Sequence, residues 1–183
     1  HIGKETQRKN LVDATIAAFG RIDILVNNAA INPVFGPIET VDPTIFDKIM
    51  EVNVKAPWSL SNLVLPHLQA NKKGSIVNIA SVEALTPGFG LGIYSTSKAA
   101  MVMLSKNQAK EWGKHGIRVN AICPGLIKTK FSAALWQNEQ IVSKLEKALP
   151  SGRMGHPEEM VGLACLLASD AGAYMTGGVY AAD

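Results

Sequence analysis

SIVNIA, residues 75–80, is short, rich in Ile and Val, apolar on both faces and bounded by turn chemistry, which is how a strand buried between two layers of helices reads. Three other stretches share its character: Ile22 to Asn27 (IDILVN), Arg118 to Ile122 (RVNAI) and Gly178 to Ala182 (GVYAA). Longer segments of helical period separate them. Strands alternating with helices predict an α/β fold with a parallel sheet, its strands in chain order and helices on both faces. DILV is apolar on both sides, as a central strand would be, yet only one neighbour can come from the next βα unit. The first strand is therefore expected at an edge, and a further N-terminal unit is expected beside it.

The helices are expected from Glu5 to Phe19, ended by Gly20; from Pro43 to about Ala70; from Tyr94 to Trp112, closed by Gly113 and Gly116; and from Pro157 to Ala168. Each of the first two reads as amphipathic. Pro43 suits a first helical turn, whereas Pro57 and Pro66 predict a break near Lys55 and a kink further on. No internal repeat or low-complexity linker interrupts the pattern.

Composition narrows the classes. The 183 residues are 47% apolar and 18% charged, as in a soluble globular domain. The net charge of +3 is scattered without a like-charged block, which argues against nucleic acid as a partner. The start, His1 to Thr6, is polar where a signal peptide would be apolar. The longest apolar stretch, around Val161 to Ala168, falls well short of the roughly 18 residues of a membrane span. Cys123 and Cys165 sit in apolar settings without metal-like spacing and read as reduced core thiols, which fits the cytoplasm. His1, His67, His115 and His156 form no ligand pair, so no metal is expected.

Tyr94 and Lys98, four apart on one helix face, carry the chemistry. An ammonium within a turn of a phenol favours the phenolate, so Tyr94 could exchange a proton with a carbonyl or alcohol oxygen. The spacing alone is weak evidence, and its surroundings add to it. Ser81 follows SIVNIA at a carboxyl end, where open parallel sheets bind ligands, and its hydroxyl would polarise the same oxygen. Taken singly, Ser81 is also an ordinary turn or cap former. Pro87, Gly88, Gly90 and Gly92 let the intervening loop turn back over the site.

Six motifs in order then make the chain resemble the short-chain dehydrogenase/reductase family along its whole length. They are Asn27-Asn28-Ala29-Ala30 after a strand, Asn53 in VNVKA, Ser81 after IVNIA, Tyr94-Ser95-Thr96-Ser97-Lys98, Arg118-Val119-Asn120, and Pro124-Gly125 followed by Thr129. NPVFGPIE, PGLIKTKF and GRMGHPEE look closest to carbonyl and retinal reductases of the dehydrogenase/reductase member 4 type. The resemblance implies a Rossmann-like fold and hydride transfer between NAD or, by the finer likeness, NADP and a carbonyl or alcohol. It implies Tyr94 as proton donor or acceptor, Lys98 lowering its pKa and holding the nicotinamide ribose, Ser81 orienting the substrate oxygen, and Asn53 holding a relay water. Asn28, Ala29 and Ala30 would pass close to the cofactor, and Asn27 would brace the sheet. Pro124 and Gly125 would make the turn beneath the nicotinamide, with the Ile127 backbone and the Thr129 hydroxyl at its carboxamide.

Phe131, Leu135 and Trp136, in the segment Phe131 to Leu149, would belong to a mobile lid over an apolar substrate, although three apolar residues at that spacing also read as core. The family's pairing of its long helices between subunits implies a homotetramer.

Against the family pattern, Ala30 stands where glycine is usual, and the Gly-rich turn TGxxxGxG that receives the pyrophosphate is absent. His1-Ile2 would correspond to the end of a third strand. A single domain lacking the first three strands and two helices, and clipped slightly after Asp183, is therefore expected. Two functions follow: a piece of an active reductase, or a short non-catalytic form that only associates with partners. Cofactor binding separates them.

Overall fold

The computed structural model describes residues 1–137, 142–143, 147, 149 and 151–183. Its centre is a four-stranded parallel sheet in the order β1 (Ile24–Asn27), β2 (Gly74–Ile79), β3 (Ile117–Pro124), β4 (Val179–Ala182). The strands lie in chain order, as expected, with β1 at one edge, where Ile24 and Val26 are half exposed. β2 and β3 are buried nearly throughout, because helices cover both their faces.

On one face Ile76, Ile117 and Val119 pack against Val12 of α1 (Glu5–Phe19), Leu60, Val64 and Leu68 of α3 (Ala56–Asn71), and Ala109 and Trp112 of α4 (Gly92–Trp112). On the other, Val77 and Ile122 meet Leu167 of α6 (Val161–Ala168). α5 is the single turn Ala133–Trp136. Among the described residues no helix is long and apolar enough to cross a membrane.

Three departures from the sequence reading have local causes. α1 has the expected limits, ending at Gly20 in the left-handed region (φ 74°), but Arg8 is one of only two residues it buries. The Arg8 guanidinium donates to Ser59 Oγ (3.1 Å), the Ile2 carbonyl (2.8 Å) and Glu51 Oε1 (3.2 Å), which makes its burial tolerable. Near Lys55 there is no break. α2 (Pro43–Met50), capped by the Asp42 carboxylate on Thr44 N, runs into a π-helical turn over Glu51–Lys55 and on into α3, with Pro57 in the first turn of α3 and Pro66 inside it. The widened turn takes up the irregularity that the prolines imply, and it carries Asn53. Finally, Cys165 is exposed on the outer side of α6, and only Cys123 is a core thiol.

A buried amide network ties the sheet to its helices. Asn27 Nδ2 donates to Asn78 Oδ1 (2.8 Å) and Ser61 Oγ (3.4 Å), and Asn78 Nδ2 donates to Ser105 Oγ on α4 (2.8 Å). Asn27 thus braces β1 against β2 and α3, so that the chain leaves the strand in one fixed direction at Asn28. At the other end of the sheet Gly116, at φ 75°, leads into β3. A Cβ there would collide with the Lys72 carbonyl, so both the conformation and the approach require glycine.

Candidate active site

The carboxyl ends of β1, β2 and β3 and the first turns of α4 converge on one region. Ser81 follows β2 and is 9% exposed. Its Oγ accepts a hydrogen bond from Glu83 N (3.2 Å), capping the 3₁₀ turn Val82–Ala84. Ser81 is therefore a cap as well as a site residue. Because the oxygen accepts from the backbone, its own proton remains free to be donated.

Tyr94 and Lys98 lie one turn apart on α4, with Lys98 Nζ 5.6 Å from the centre of the Tyr94 ring. Lys98 is 3% exposed and donates to the Ile79 carbonyl at the end of β2 (2.8 Å). Burial pushes its ammonium down to about 8, with buried Cys123 at the end of β3 acting weakly the other way. For Tyr94 the direction is the reverse of the expected lowering: burial pushes the phenol up to about 12 and nearby Glu83 adds to this, while the Ser81 hydroxyl opposes it. The ammonium stands over the ring face and is bonded to a carbonyl, so burial outweighs its attraction for the phenolate.

Asn53, 1% exposed, uses both amide hydrogens, one on the Ile31 carbonyl (2.9 Å) and one on Ser97 Oγ (3.0 Å), while its Oδ1 accepts from Ile31 N (2.8 Å). Its side chain clamps the segment after β1 to α4, fixing the path of Asn28, Ala29 and Ala30. Asn28 and Ala29 are exposed and Ala30 is half-buried.

Past β3, Gly125 N donates to the Ala182 carbonyl (2.9 Å), and Ile127 pairs with Gly155 through Gly155 N on Leu126 O (3.0 Å) and Lys128 N on Gly155 O (2.9 Å). The Ile127 N–H has no acceptor among the described residues. The Thr129 hydroxyl is turned toward Ser132 Oγ (3.3 Å) within its own loop. Phe131, 56% exposed, sets its ring 6.0 Å from that of Tyr94. Trp136, half-buried, turns back on its own loop, donating from Nε1 to the Thr129 carbonyl (2.7 Å) with Lys128 Nζ over its ring, and Leu135 is half-buried beside it. Of the lid segment Phe131 to Leu149, residues 138–141, 144–146 and 148 lie outside the described residues.

Two participants escaped sequence reading. Ser97 is buried and partners Asn53; its position three residues after Tyr94 on the covered face of α4 was the available signal. Glu83, half-buried, accepts from Ser95 Oγ and Gly88 N. Nothing in its Val-Glu-Ala context marked it.

A family model described as enoyl-(acyl carrier protein) reductase matches residues 1–183. Dehydrogenase/reductase SDR family member 4 is 43% identical over 177 residues in Oryctolagus cuniculus and 40% in Homo sapiens. Each match covers 97% of this chain, and 68% and 64% of those proteins respectively. The crystal structure of a gluconate 5-dehydrogenase from Burkholderia cenocepacia J2315, in complex with NADP and tartrate, superposes with a TM-score of 0.95 at 31% identity, over 100% of this chain and 71% of that one. The parallel sheet, the serine and tyrosine hydroxyls beside a buried lysine, and these likenesses agree: the chain belongs to the short-chain dehydrogenase/reductase family.

Proposed function

We propose that the chain carries the catalytic apparatus of an NAD(P)-dependent oxidoreductase that interconverts an apolar ketone or aldehyde and its alcohol, with NADP preferred. The observation that carries the reading is the Lys98 ammonium, buried one helical turn from Tyr94 with Ser81 beside the phenol. The donor set suits a nicotinamide nucleoside. Lys98 keeps N–H groups beyond the one on Ile79 O that would hold ribose hydroxyls, and the Ile127 N–H and the Thr129 hydroxyl would meet the carboxamide. Asn28, Ala29, Ala30, Pro124 and Gly125 would line the approach. NADP in the Burkholderia relative supports that preference. When bound, the nicotinamide supplies the hydride for reduction or takes it up in oxidation.

The protein's part is to place and protonate the substrate oxygen. Ser81 donates its free proton to that oxygen and fixes it beside Tyr94. Tyr94, which holds its proton at neutral pH, gives it up as negative charge develops there. Lys98 would hold the ribose and favour the resulting phenolate, and the proton would return through a water at the Asn53 backbone, since its side chain is spent on Ile31 and Ser97. Phe131 and Leu135, with Trp136 bracing their loop, would form an apolar wall, which favours a carbonyl carrying an aromatic or aliphatic group over a polyhydroxy acid.

Titration of the full-length protein with NADPH should quench tryptophan fluorescence saturably, and an aromatic ketone should then be reduced. Absence of cofactor binding would overturn this reading in favour of a form that only associates with partners.

The same reading includes a homotetramer in the cytoplasm. Trp58 and Met103 are half exposed, and Trp58 lines an open groove of about 520 Å³ with Met50, Val54, Leu104 and the charged Asp47, Glu51 and Lys55, away from Tyr94. Leu60 and Met101, on the same helices, lie in the core. Light scattering at micromolar concentration should report four subunits; a monodisperse monomer would contradict the assembly.

A further inference from the structure

The loop between Ser81 and Tyr94 is held at two places. Glu83 Oε2 accepts from Gly88 N (2.7 Å) and from Ser95 Oγ (2.8 Å), joining the middle of the loop to the first turn of α4 beside Tyr94. The fit is close, since a Cβ at Gly88 would stand 2.7 Å from Glu83 Oε1. Further along, Gly36 N donates to the Gly90 carbonyl (3.0 Å), and the Phe35 ring lies where a Gly90 Cβ would be. Residues 85–91 and the segment around Phe35 therefore form one continuous rim, presenting Leu85, Phe89 and Phe35 to solvent. Glu83 is in turn tied to Ser81 through its own backbone N–H (3.2 Å). A single chain of hydrogen bonds runs from the Ser81 hydroxyl through Glu83 to the loop and to Ser95, which is 5% exposed. A half-buried carboxylate that accepts twice from protein groups is not an incidental surface charge.

We propose that Glu83 is a positioning residue: its carboxylate holds the loop 85–91 against the first turn of α4, and so sets the apolar rim that receives the non-reacting part of the substrate. The functional half of this statement rests on the reductase reading above; the structural half does not. Glu83 does not touch the reacting oxygen, so beyond its charge's push on the Tyr94 phenol its effect falls on substrate capture rather than on the chemical step. Two variants separate the hydrogen bonds from the charge. Glu83→Ala removes the acceptor, whereas Glu83→Gln keeps a carbonyl oxygen able to accept from both Gly88 N and Ser95 Oγ.

The experiment uses the full-length protein and two readouts. The first is amide hydrogen exchange of the peptide covering residues 85–91, which needs no turnover. Glu83→Ala should speed exchange there by about tenfold or more while Glu83→Gln stays within about threefold of the parent. The second is steady-state reduction of an aromatic ketone, in which Glu83→Ala should raise KM by about tenfold with kcat changed less than about threefold, and Glu83→Gln should restore the parental KM. Unchanged exchange in Glu83→Ala, or a Gln variant as impaired as the Ala variant, overturns the positioning role. If the parent binds no NADPH and turns over no ketone, the reductase reading fails by itself, and the exchange arm still decides whether Glu83 holds the loop.

Discussion

Replacing Tyr94 with phenylalanine is expected to lower kcat for carbonyl reduction by about 10²-fold or more while leaving cofactor affinity within about twofold of the parent. The ring would keep its place beside Phe131 and under the Lys98 ammonium, since neither contact uses the hydroxyl. What disappears is the proton. With the phenol pushed up to about 12, Tyr94 is protonated across the neutral range, the form that carbonyl reduction needs. Alcohol oxidation needs the phenolate, so in the parent that direction should accelerate as pH rises toward this value, and the phenylalanine variant should lose the acceleration. Stopped-flow or steady-state assays in both directions would measure this. Retention of more than about a tenth of the parental kcat would remove Tyr94 from its assigned role.

Lys98→Met should differ in kind, making the protein more stable and nearly inactive. Moving the ammonium from 10.5 to about 8 by burial corresponds to a folding cost on the order of 3 kcal/mol at neutral pH. Methionine fills similar space without charge, but it leaves the Ile79 carbonyl without its donor, which costs about 1–3 kcal/mol. A net gain of about 1 kcal/mol, or about 2–4 °C in Tm, is expected for the ligand-free protein. The pH dependence is more discriminating. Between about 8 and 10.5 the unfolded lysine holds a proton that the folded one has shed, so parental stability should rise through that window and level off above it. The methionine variant should lack the rise. Its NADPH affinity should fall about tenfold and its reduction rate about 10²-fold, because ribose and phenol both lose the cation. Denaturant melts across pH would test the stability claim without any activity, and a clearly less stable variant would refute it.

The legible parts of this molecule are those in which one local rule acts alone. Apolar runs bounded by turns located all four strands, and Gly20 ended α1 where a left-handed residue should. Ser81, Tyr94 and Lys98 could be grouped because strand ends and helical spacing are sequence quantities. What escaped depends on partners distant in the chain. Arg8 looks like a surface cation until Ile2, Ser59 and Glu51 are seen around it. The π turn at Glu51–Lys55 has no compositional mark, since Val52, Val54 and the nearby Pro57 fit a break equally well. Cys165 reads as core in an apolar run, but α6 covers the sheet with only one side. The Tyr94 phenol was misjudged for the same reason: spacing reports the nearby lysine but not the depth at which both groups lie.

The neighbour-to-neighbour order of the strands also bears on how the chain acquires its shape. Among the described residues β2 pairs with β1 and β3, and β4 with β3, so β2, β3 and β4 each find a partner in the unit synthesised just before them. Every pairing still closes a whole crossover before any ladder bond forms, which makes each step slow compared with hairpin formation. Growth can therefore proceed by accretion as the polypeptide leaves the ribosome, with the bare edge of the newest strand as the surface most exposed to misassembly at each stage.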